Sequence, residues 1–484
     1  MEKGVNRKPN ILWITTDQQR FDTLGCYGNR FVQTSHLDFL AQEGVQFTNA
    51  FSQSPVCTPS RGCFLTGRYP RTCRARQNGA NIPEDEVVVT KLLSDAGYIC
   101  GLSGKLHLSA ADPEISEGTE RRIDDGYDIF HWSHDNSNLW VSNEFFQWIK
   151  QKNAKYVTKR FKKSRFVQYG WPEEYHQTTW CIEKAISFIR QATDFQAPWL
   201  FSINIFDPHH SFDPPEKYLK RYMDFFEEIP LPNYTEGELD NKTEWQKIDH
   251  EGAYGQTERY NYEHMKERDH KAIRAAYWAM CDLIDAQIGR VLDVLQETNQ
   301  LENTIIIFTS DHGEMLGDHG IYLKGPYFYE PAIHVPLIIY WKNNLEPKVV
   351  NSLVELVDLP ETILDMAKVP VHQGMQGKSL YPLMEEDIET TQHRDDIYCE
   401  YYNAMPWHKD PTAQATMVRT ERYKLVVDHI HNFGELYDLK EDPNETHNLW
   451  NIKDYSKVKT DMLIRLTNRM AFTVDPLPPR LGRF

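Results

Sequence analysis

The sequence predicts an α/β fold in which a large, mixed but mostly parallel sheet lies between helices. Short apolar runs that predict buried strands recur from residue 10 to residue 341, and the run at 10–16 is the first of them. Segments with helical spacing of apolar residues separate several of these runs, and the longest covers 272–298. Polar residues follow the runs directly, which is typical of the ligand-binding edge of an open parallel sheet.

Composition and charge exclude several classes of function. The chain has 484 residues, which is enough for one large α/β domain and a smaller one. Its 53 basic and 70 acidic side chains give a net charge of −17, which argues against nucleic acid or an anionic membrane as partner. No C-x-x-C pair occurs among the eight cysteines, so neither a zinc site nor a redox motif is predicted. An anionic substrate would therefore need a local basic pocket.

The N-terminal segment gives an expectation for localisation. Residues 1–9 are polar, and the first apolar run, 11–15, is far too short for a signal sequence or a membrane span. The chain as written is therefore expected to be cytoplasmic and to have no membrane span. A leader that had been trimmed would leave the same pattern, and the protein would then be periplasmic or secreted.

The first strand ends in Asp17-Gln18. A carboxylate at this position either binds a ligand or caps the following turn. The side-chain carbonyl of Gln18 can also serve as a ligand for a hard cation.

The next strand, 45–51, leads to the segment Cys57-Thr58-Pro59-Ser60-Arg61. Thr58 fits a helix N-cap and Pro59 the first helical position, which predicts a short helix over 60–66 that ends at Gly67. Cys57 would then lie at a helix N-terminus, where free N–H groups favour anions, and Arg61 would follow within a turn. A helix start with an ordinary buried cysteine explains the same residues.

Three further strand ends carry chemically active side chains. Each has an ordinary structural explanation when taken alone, as a satisfied histidine or a solvated lysine. They are Lys105 and His107 after strand 99–103, His209 and His210 after strand 199–204, and Asp311 and His312 after strand 304–308, with Lys324 farther along. Asp17, Gln18, Asp311 and His312 offer mostly oxygen ligands for Ca²⁺, Mg²⁺ or Mn²⁺. The lysines, Arg61 and the histidines make a basic pocket within an acidic protein.

The C-terminal part of the sequence predicts a second, smaller unit. Composition becomes charged near 385–396, which indicates a linker. The segments 397–402, 415–419 and 424–428 alternate as antiparallel strands do, and 463–471 favours a helix. We therefore expect a catalytic α/β domain at 1–385 and an α+β subdomain with a small antiparallel sheet at 386–484.

These motifs resemble the sulfatase family, whose fold is alkaline-phosphatase-like. The C-x-P-S-R run at Cys57, followed by Thr66-Gly67-Arg68, resembles the family signature. The other strand ends match family elements in the family's order, with two departures. Gln18 stands where a second acid is usual, and Leu106 stands where Trp is common.

The resemblance implies a role for each matched residue. A separate formylglycine-generating or anaerobic sulfatase-maturating enzyme would oxidise Cys57 to formylglycine, and Arg61 would support it. Lys105 and Lys324 would hold the sulfate, His107 would contact the nucleophile or substrate, and His209 would contact the sulfate ester. The ligands of one divalent cation, with Ca²⁺ expected first and Mg²⁺ or Mn²⁺ as alternatives, would be Asp17, Gln18, Asp311 and His312.

The activity implied is hydrolysis of a small anionic sulfate ester, of a carbohydrate or an aryl alcohol. A hydroxyl of the formylglycine hydrate would attack sulfur, His209 or Lys324 would protonate the leaving alcohol, and His107 would help remove a proton from the remaining hydroxyl. Two alternatives remain. Gln18 also fits relatives that cleave phosphonate monoesters and phosphodiesters, and a silent binding protein would keep Cys57 unmodified. The complete set of Lys, His and Arg argues against the silent protein.

Overall fold

The computed structural model describes residues 8–116, 118–136, 140–155, 159–385, 393–408 and 412–476. Its strands form a nine-stranded sheet, a four-stranded sheet and a two-stranded hairpin. In chain order the strands are β1 Asn10–Thr16, β2 Val45–Phe51, β3 Ile99–Gly104, β4 Ile129–Trp132, β5 Lys159–Arg160, β6 Gln168–Tyr169, β7 Trp199–Ile205, β8 Thr304–Ser310, β9 His334–Trp341, β10 Lys348–Val350, β11 Val354–Glu355, β12 Ile397–Tyr402, β13 Gln414–Arg419, β14 Tyr423–Asp428 and β15 Phe433–Asp438.

Helices cover both faces of the large sheet, and several shorter helices lie within the connecting loops. In chain order they are α1 Ser35–Gln42, α2 Cys57–Thr66, α3 Pro70–Cys73, α4 Val89–Asp95, α5 Glu144–Gln151, α6 Gln177–Gln191, α7 Glu216–Arg221, α8 Glu244–His250, α9 Glu267–Glu297, α10 Glu330–Ile333, α11 Leu359–Met366, α12 Tyr381–Glu385 and α13 Ser456–Phe472. No helix in the described ranges is both long and apolar enough to cross a membrane.

The large sheet is mixed but mostly parallel, as predicted. Its order is β10-β2-β9-β8-β1-β7-β3-β4, with β11 also paired to β2. β9 runs antiparallel to both of its neighbours, and the other pairings in this sheet are parallel. The sheet therefore presents the carboxyl ends of β8, β1, β7 and β3 side by side at one edge.

Side chains along β1 point alternately to the two faces of the sheet, and this explains why its central residues are all apolar. Leu12 and Ile14 pack into a core with α6 and α9, whereas Ile11 and Trp13 pack into a core with α4 and α11. A strand covered on both faces has no position for an exposed polar side chain. The predicted bounds of β1 and β2 are confirmed.

The C-terminal sheet β12-β13-β14-β15 is antiparallel, and α13 packs against it. Ion pairs with one completely buried partner each join this sheet and helix to the large sheet and its helices. Lys424 Nζ of β14 lies 2.8 Å from Oε1 of Glu330, and an Arg469 guanidinium nitrogen of α13 lies 2.7 Å from Oε1 of Glu355. The antiparallel C-terminal sheet is therefore confirmed, and it is tightly connected to the rest of the chain.

The apolar spacing of 350–367 predicts a single helix, and this prediction is wrong. β10 and β11 pair with β2, and the helix covers only Leu359–Met366 with Pro360 in its first turn. The apolar run fits a strand edge as well as a helix. The proposed boundary between 385 and 386, and most of the predicted linker, lie outside the described residues. The division into 1–385 and 386–484 stays a prediction, and the N-terminal residues 1–7 are likewise outside the described ranges.

Candidate active site

The carboxyl ends of four neighbouring parallel strands form the floor of the site. The backbone N–H of Asp17 donates to the carbonyl of Asp207, at 3.3 Å, and that of Asp311 donates to the carbonyl of Thr16, at 3.2 Å. The loops that follow β1, β7 and β8 are therefore hydrogen-bonded to one another. The residues that the sequence placed at separate strand ends are brought to one edge of the sheet.

Cys57 is the first residue of α2 and is almost completely buried. The predicted N-cap at Thr58 is wrong. The helix begins three residues earlier than expected, because the backbone N–H of Thr58 donates to Oδ1 of Asn78 at 2.9 Å. Gly67 ends the helix with a φ of +68°, as predicted. The thiol therefore lies at the helix N-terminus, where the macrodipole favours an anion.

Arg61, one turn into α2, is buried and connects the nucleophile helix to two strand ends. Its Nε donates to Oδ2 of Asp311 at 2.8 Å, and its NH1 donates to the carbonyl of Lys105 at 2.8 Å. Its NH2 lies 3.3 Å from Oδ2 of Asp17. Arg61 thus holds both carboxylates in position.

Two carboxylates and a histidine surround the thiol. Donor atoms of Asp17, Cys57, Asp311 and His312 all lie within 4.8 Å of one another. The ring of His312 places Nδ1 2.8 Å from the carbonyl of Gly313, so Nδ1 carries the proton and Nε2, 3.2 Å from the Cys57 Sγ, is free to accept. This geometry is compatible with one shared cation.

Gln18 completes this donor set. Its backbone N–H donates to Oδ1 of Asp311 at 3.0 Å, and its side-chain nitrogen donates to Oε2 of Glu314. Its Oε1 is buried without a hydrogen-bond partner in the described structure. An unpaired buried carbonyl oxygen beside two carboxylates and an imidazole nitrogen fits a hard divalent cation.

Two lysines place positive charge on the thiol and the carboxylates. Lys324 Nζ lies 2.8 Å from the Cys57 Sγ and 3.1 Å from Nε2 of His209. Lys105 Nζ lies 2.5 Å from Oδ2 of Asp17. Both lysines are buried, so the positive charge that the sequence predicted within an acidic protein is concentrated in the pocket around Cys57.

Comparison with known proteins identifies the family. A family model described as Sulfatase matches residues 9–369. An arylsulfatase from Clostridium perfringens is 30% identical over 474 residues, which cover 95% of this chain and 93% of that protein. The chain belongs to the sulfatase family. It is therefore a sulfuric ester hydrolase, and membership implies a formylglycine and a divalent metal.

Two further sequence similarities concern the C-terminal part and the whole length of this sulfatase. A second family model, described as N-sulphoglucosamine sulphohydrolase, C-terminal, matches residues 317–471. An N-acetylglucosamine-6-O-sulfatase from Bacteroides thetaiotaomicron is 28% identical and covers 96% of this chain and 86% of its own.

Two solved structures share the fold. A phosphonate monoester hydrolase from Silicibacter pomeroyi has a TM-score of 0.82 at 22% identity and covers 97% of this chain and 96% of its own. A protein solved in complex with its substrate D-glucosamine-2-N,6-O-disulfate has a TM-score of 0.75 at 23% identity and covers 96% and 98%. Both confirm the predicted alkaline-phosphatase-like architecture.

Burial and charge oppose each other at the nucleophile position of the sulfatase. Burial raises the pKa of the Cys57 thiol, and the nearby Asp17 raises it further. Lys105, Lys324 and His312 outweigh both effects, so the pKa of the thiol is lower than its ordinary value. The pocket therefore stabilises negative charge at this position.

His209 is neutral in this environment. Burial, then the neighbouring His210 and Lys324, hold its pKa well below the ordinary value. Its Nδ1 lies 2.7 Å from the carbonyl of His210, so Nδ1 carries the proton and Nε2 faces the Lys324 ammonium as an acceptor.

His107 lies in a second group of side chains beside Lys105. Its ring packs edge-on against His134 with 4.6 Å between centroids, and its Nδ1 is buried without a partner in the described structure. Burial, followed by Lys105 and His134, holds its pKa well below the ordinary value. No contact in the described ranges joins His107 directly to Cys57. The catalytic and metal-binding roles assigned to the predicted residues stay predictions.

The sequence analysis assigned no role to three residues that support the site. Glu314 accepts hydrogen bonds from Gln18 and from the backbone of Leu316 and Leu323. Glu120 lies in a segment that reads as a surface loop, but it is buried and accepts from the backbone N–H of His107. The run at 131–134, which has two histidines and a tryptophan, was a signal for His134, whereas neither glutamate had one.

Proposed function

We propose that this sulfatase cleaves the sulfate ester of a carbohydrate, with Ca²⁺ as its metal and a formylglycine derived from Cys57 as its nucleophile. The single observation that carries the proposal is the arrangement around Cys57 Sγ, with Lys324 at 2.8 Å and His312 at 3.2 Å in a buried pocket. The relatives named as an N-acetylglucosamine-6-O-sulfatase and an ulvan-active sulfatase support a sugar as the alcohol.

Asp17, Gln18, Asp311 and His312 would hold the cation. Three of the four side chains offer oxygen atoms, which Ca²⁺ prefers, and the carboxylates can bind through one oxygen or both. When bound, the cation polarises the sulfuryl oxygen and stabilises negative charge. Arg61 and Lys105 offset the charge of the two carboxylates, and Arg61 keeps them in fixed positions.

The Cys57 Sγ marks the position of the oxygen atoms that a formylglycine would present. A separate maturating enzyme would have to supply this modification, since the pocket contains no oxidant of its own. A hydrated aldehyde supplies a hydroxyl that attacks sulfur and a second hydroxyl through which the sulfate can later be expelled. The N-terminus of α2 and Lys324 would stabilise the ionised hydroxyl before it attacks sulfur.

Lys324 is the better proton donor to the leaving alcohol. The sequence left His209 and Lys324 as equal candidates, but Nε2 of the neutral His209 faces the ammonium as an acceptor. His209 can therefore orient Lys324 and receive a proton from it but has none to give from Nε2. His107, also neutral, is suited to accept a proton from the remaining hydroxyl.

A second candidate function is hydrolysis of phosphonate monoesters or phosphodiesters. Gln18 is the observation that favours it, because a neutral amide in place of an acid leaves the pocket more positive toward a phosphoryl group. The other matched strand ends follow the sulfatase pattern, and we rank this function second.

Comparison of two substrate types tests the proposal. We expect kcat/KM of the matured, calcium-loaded enzyme to be higher for a sulfated sugar or aryl sulfate than for the matching phosphodiester or phosphonate. Gln18→Asp should widen this preference, and chelation should remove activity with either substrate. A preference for the phosphoryl compounds by more than about tenfold, or roughly 1.4 kcal/mol in the barrier, would make the second candidate correct.

A further inference from the structure

His210 is a buried histidine beside the site that the reaction does not use. Its ring stacks on that of His209 with 4.1 Å between centroids, and it is 8% exposed. Its Nδ1 has no hydrogen-bond partner in the described structure. A buried ring nitrogen without a partner next to the reacting groups is available to a ligand.

Arg259 lies beside the ring of Tyr254, in the loop after α8. Its guanidinium carbon is 5.1 Å from the ring centroid of Tyr254, and the Tyr254 ring is 6.0 Å from that of His210. The backbone N–H of Ala253 donates to the Arg259 carbonyl at 2.7 Å, which closes the loop. Arg259 is half-buried and makes no ion pair within the described ranges, although Glu258 precedes it. A partly desolvated guanidinium without a carboxylate is suited to bind an anion.

Trp407, from the C-terminal part of the chain, extends this group. Its ring stacks on Tyr254 with 4.6 Å between centroids and 8° between planes, and it is 44% exposed. The neighbouring His408 is buried, and its Nε2 lies 3.0 Å from Oδ2 of Asp249 in α8, which fixes the position of Trp407. An exposed indole held in place offers a flat apolar surface, against which the C–H face of a sugar ring can pack.

We propose that His210, Arg259 and Trp407 form a subsite for a second anionic group, a carboxylate or another sulfate, and for the sugar ring that carries it. This inference rests on the proposed carbohydrate substrate. Arg259 binds the anion, His210 offers its free nitrogen, and the indole packs against the sugar. The three residues come from three separate segments that meet at Tyr254. His210 also stacks on His209, which is expected to contact the scissile sulfate ester.

Arg259→Gln tests the subsite when it is measured on substrates that differ only in the second anion. The set is a sugar monosulfate, the same sugar with a second sulfate, and the same sugar with a carboxylate. We expect kcat/KM to fall at least about tenfold for the substrates with two anions, mainly through KM, and to change less than about twofold for the monosulfate. Arg259→Lys should recover part of the loss.

Arg30→Gln is the matched control, because Arg30 also lies over an aromatic ring and is exposed away from the site. It should leave all three substrates unchanged. Trp407→Ala should raise KM for the sugars several-fold and lower the melting temperature only slightly, because the indole is nearly half exposed.

An equal loss on all three substrates after Arg259→Gln would show a merely structural role, and no loss on the substrates with two anions would also overturn the subsite. Failure of the proposed function is distinguishable. In that case the wild-type enzyme prefers phosphonate monoesters, and the same comparison is made on phosphonates with and without a carboxylate on the alcohol. A selective loss there would still support an anion subsite at Arg259.

Discussion

The side-chain amide of Gln18 donates a hydrogen bond to Oε2 of Glu314, and both side chains are completely buried. The other oxygen of Glu314 accepts from the backbone N–H of Leu316 at 2.9 Å and also from Leu323. A buried carboxylate held in this way needs a donor at position 18. Gln18 stands where a second acid is usual in the family. Its hydrogen-bond partner in this chain is Glu314, four residues after the end of β8.

The first prediction concerns this pair. Gln18→Glu should lower the free energy of unfolding of the metal-depleted enzyme by about 2–3 kcal/mol, because two buried carboxylates would face each other. The double variant Gln18→Glu/Glu314→Gln restores a donor and an acceptor in reversed order and should recover more than half of the loss. Urea denaturation of the wild type, both single variants and the double variant gives the coupling free energy between positions 18 and 314. Additive losses would contradict a direct interaction.

The second prediction concerns the proton donor. Lys324→Ala should lower kcat for a sugar sulfate by about 10²–10⁴-fold, since an alkoxide leaves poorly without a proton. The loss for 4-nitrophenyl sulfate should be at least tenfold smaller, because nitrophenolate needs no proton to leave. Lys105→Ala serves as the control and should affect both substrates alike, since Lys105 pairs with Asp17. Equal losses for both substrates in Lys324→Ala would exclude Lys324 as the acid.

The third prediction concerns the nucleophile. Cys57→Ala should abolish turnover and leave the fold intact, and Cys57→Ser should allow at most a single slow turnover, because a serine cannot expel sulfate as an aldehyde hydrate does. Steady-state kinetics and circular dichroism of both variants test this. Mass spectrometry of the Cys57 peptide from active enzyme should show the decrease in mass that accompanies conversion to formylglycine. Normal rates from Cys57→Ala would contradict the mechanism.

The fourth prediction concerns pH. Burial holds the pKa of four site histidines well below 6.5, namely His107, His134, His209 and His210. The unfolded chain therefore binds more protons as pH falls below about 6.5, and the free energy of unfolding should decrease by up to about 1.4 kcal/mol per pH unit for each histidine. His312, whose pKa is raised by Asp311 against the effect of burial, acts in the opposite direction when no metal is bound.

Asp17 does not contribute in this window, because its lowered pKa affects stability only below its ordinary value of 3.8. Urea titrations between pH 8 and pH 5 measure the slope. His210→Asn should reduce the slope by about one proton. An unchanged slope in this variant would show that His210 is not held neutral in the folded state.

The sequence located the strands of the large sheet closely. It also identified the polar residues that directly follow these strands. A strand buried on both faces is mostly apolar, so β1 could be located to the residue, and β2 was located by its apolar ends although Thr48 and Asn49 are polar and half-buried. The residues that follow these strands are polar because they line the site. The contrast between apolar strands and polar residues after them makes the site residues recognisable in the sequence. Resemblance to a family then supplied roles that composition alone could not.

What the sequence did not predict depends on contacts between distant segments. Glu120 looks like part of a surface loop until the loop is placed under the backbone of His107. Trp407 gains a position near the site through its stacking on Tyr254 and through the hydrogen bond between His408 and Asp249, 159 residues away. The start of α2 was misplaced because Asn78, from outside the helix, accepts from Thr58. Local patterns contain none of this information.

The ion pairs between the two sheets have a consequence for how the chain can be divided. A chain that ended at residue 385 would leave Glu330 and Glu355 without Lys424 and Arg469. Glu355 is completely buried, and leaving it uncompensated would cost about 3–5 kcal/mol, against a typical total stability of about 5–15 kcal/mol. The two parts should therefore unfold in one cooperative transition, and neither is expected to persist as an independent module that evolution could exchange freely.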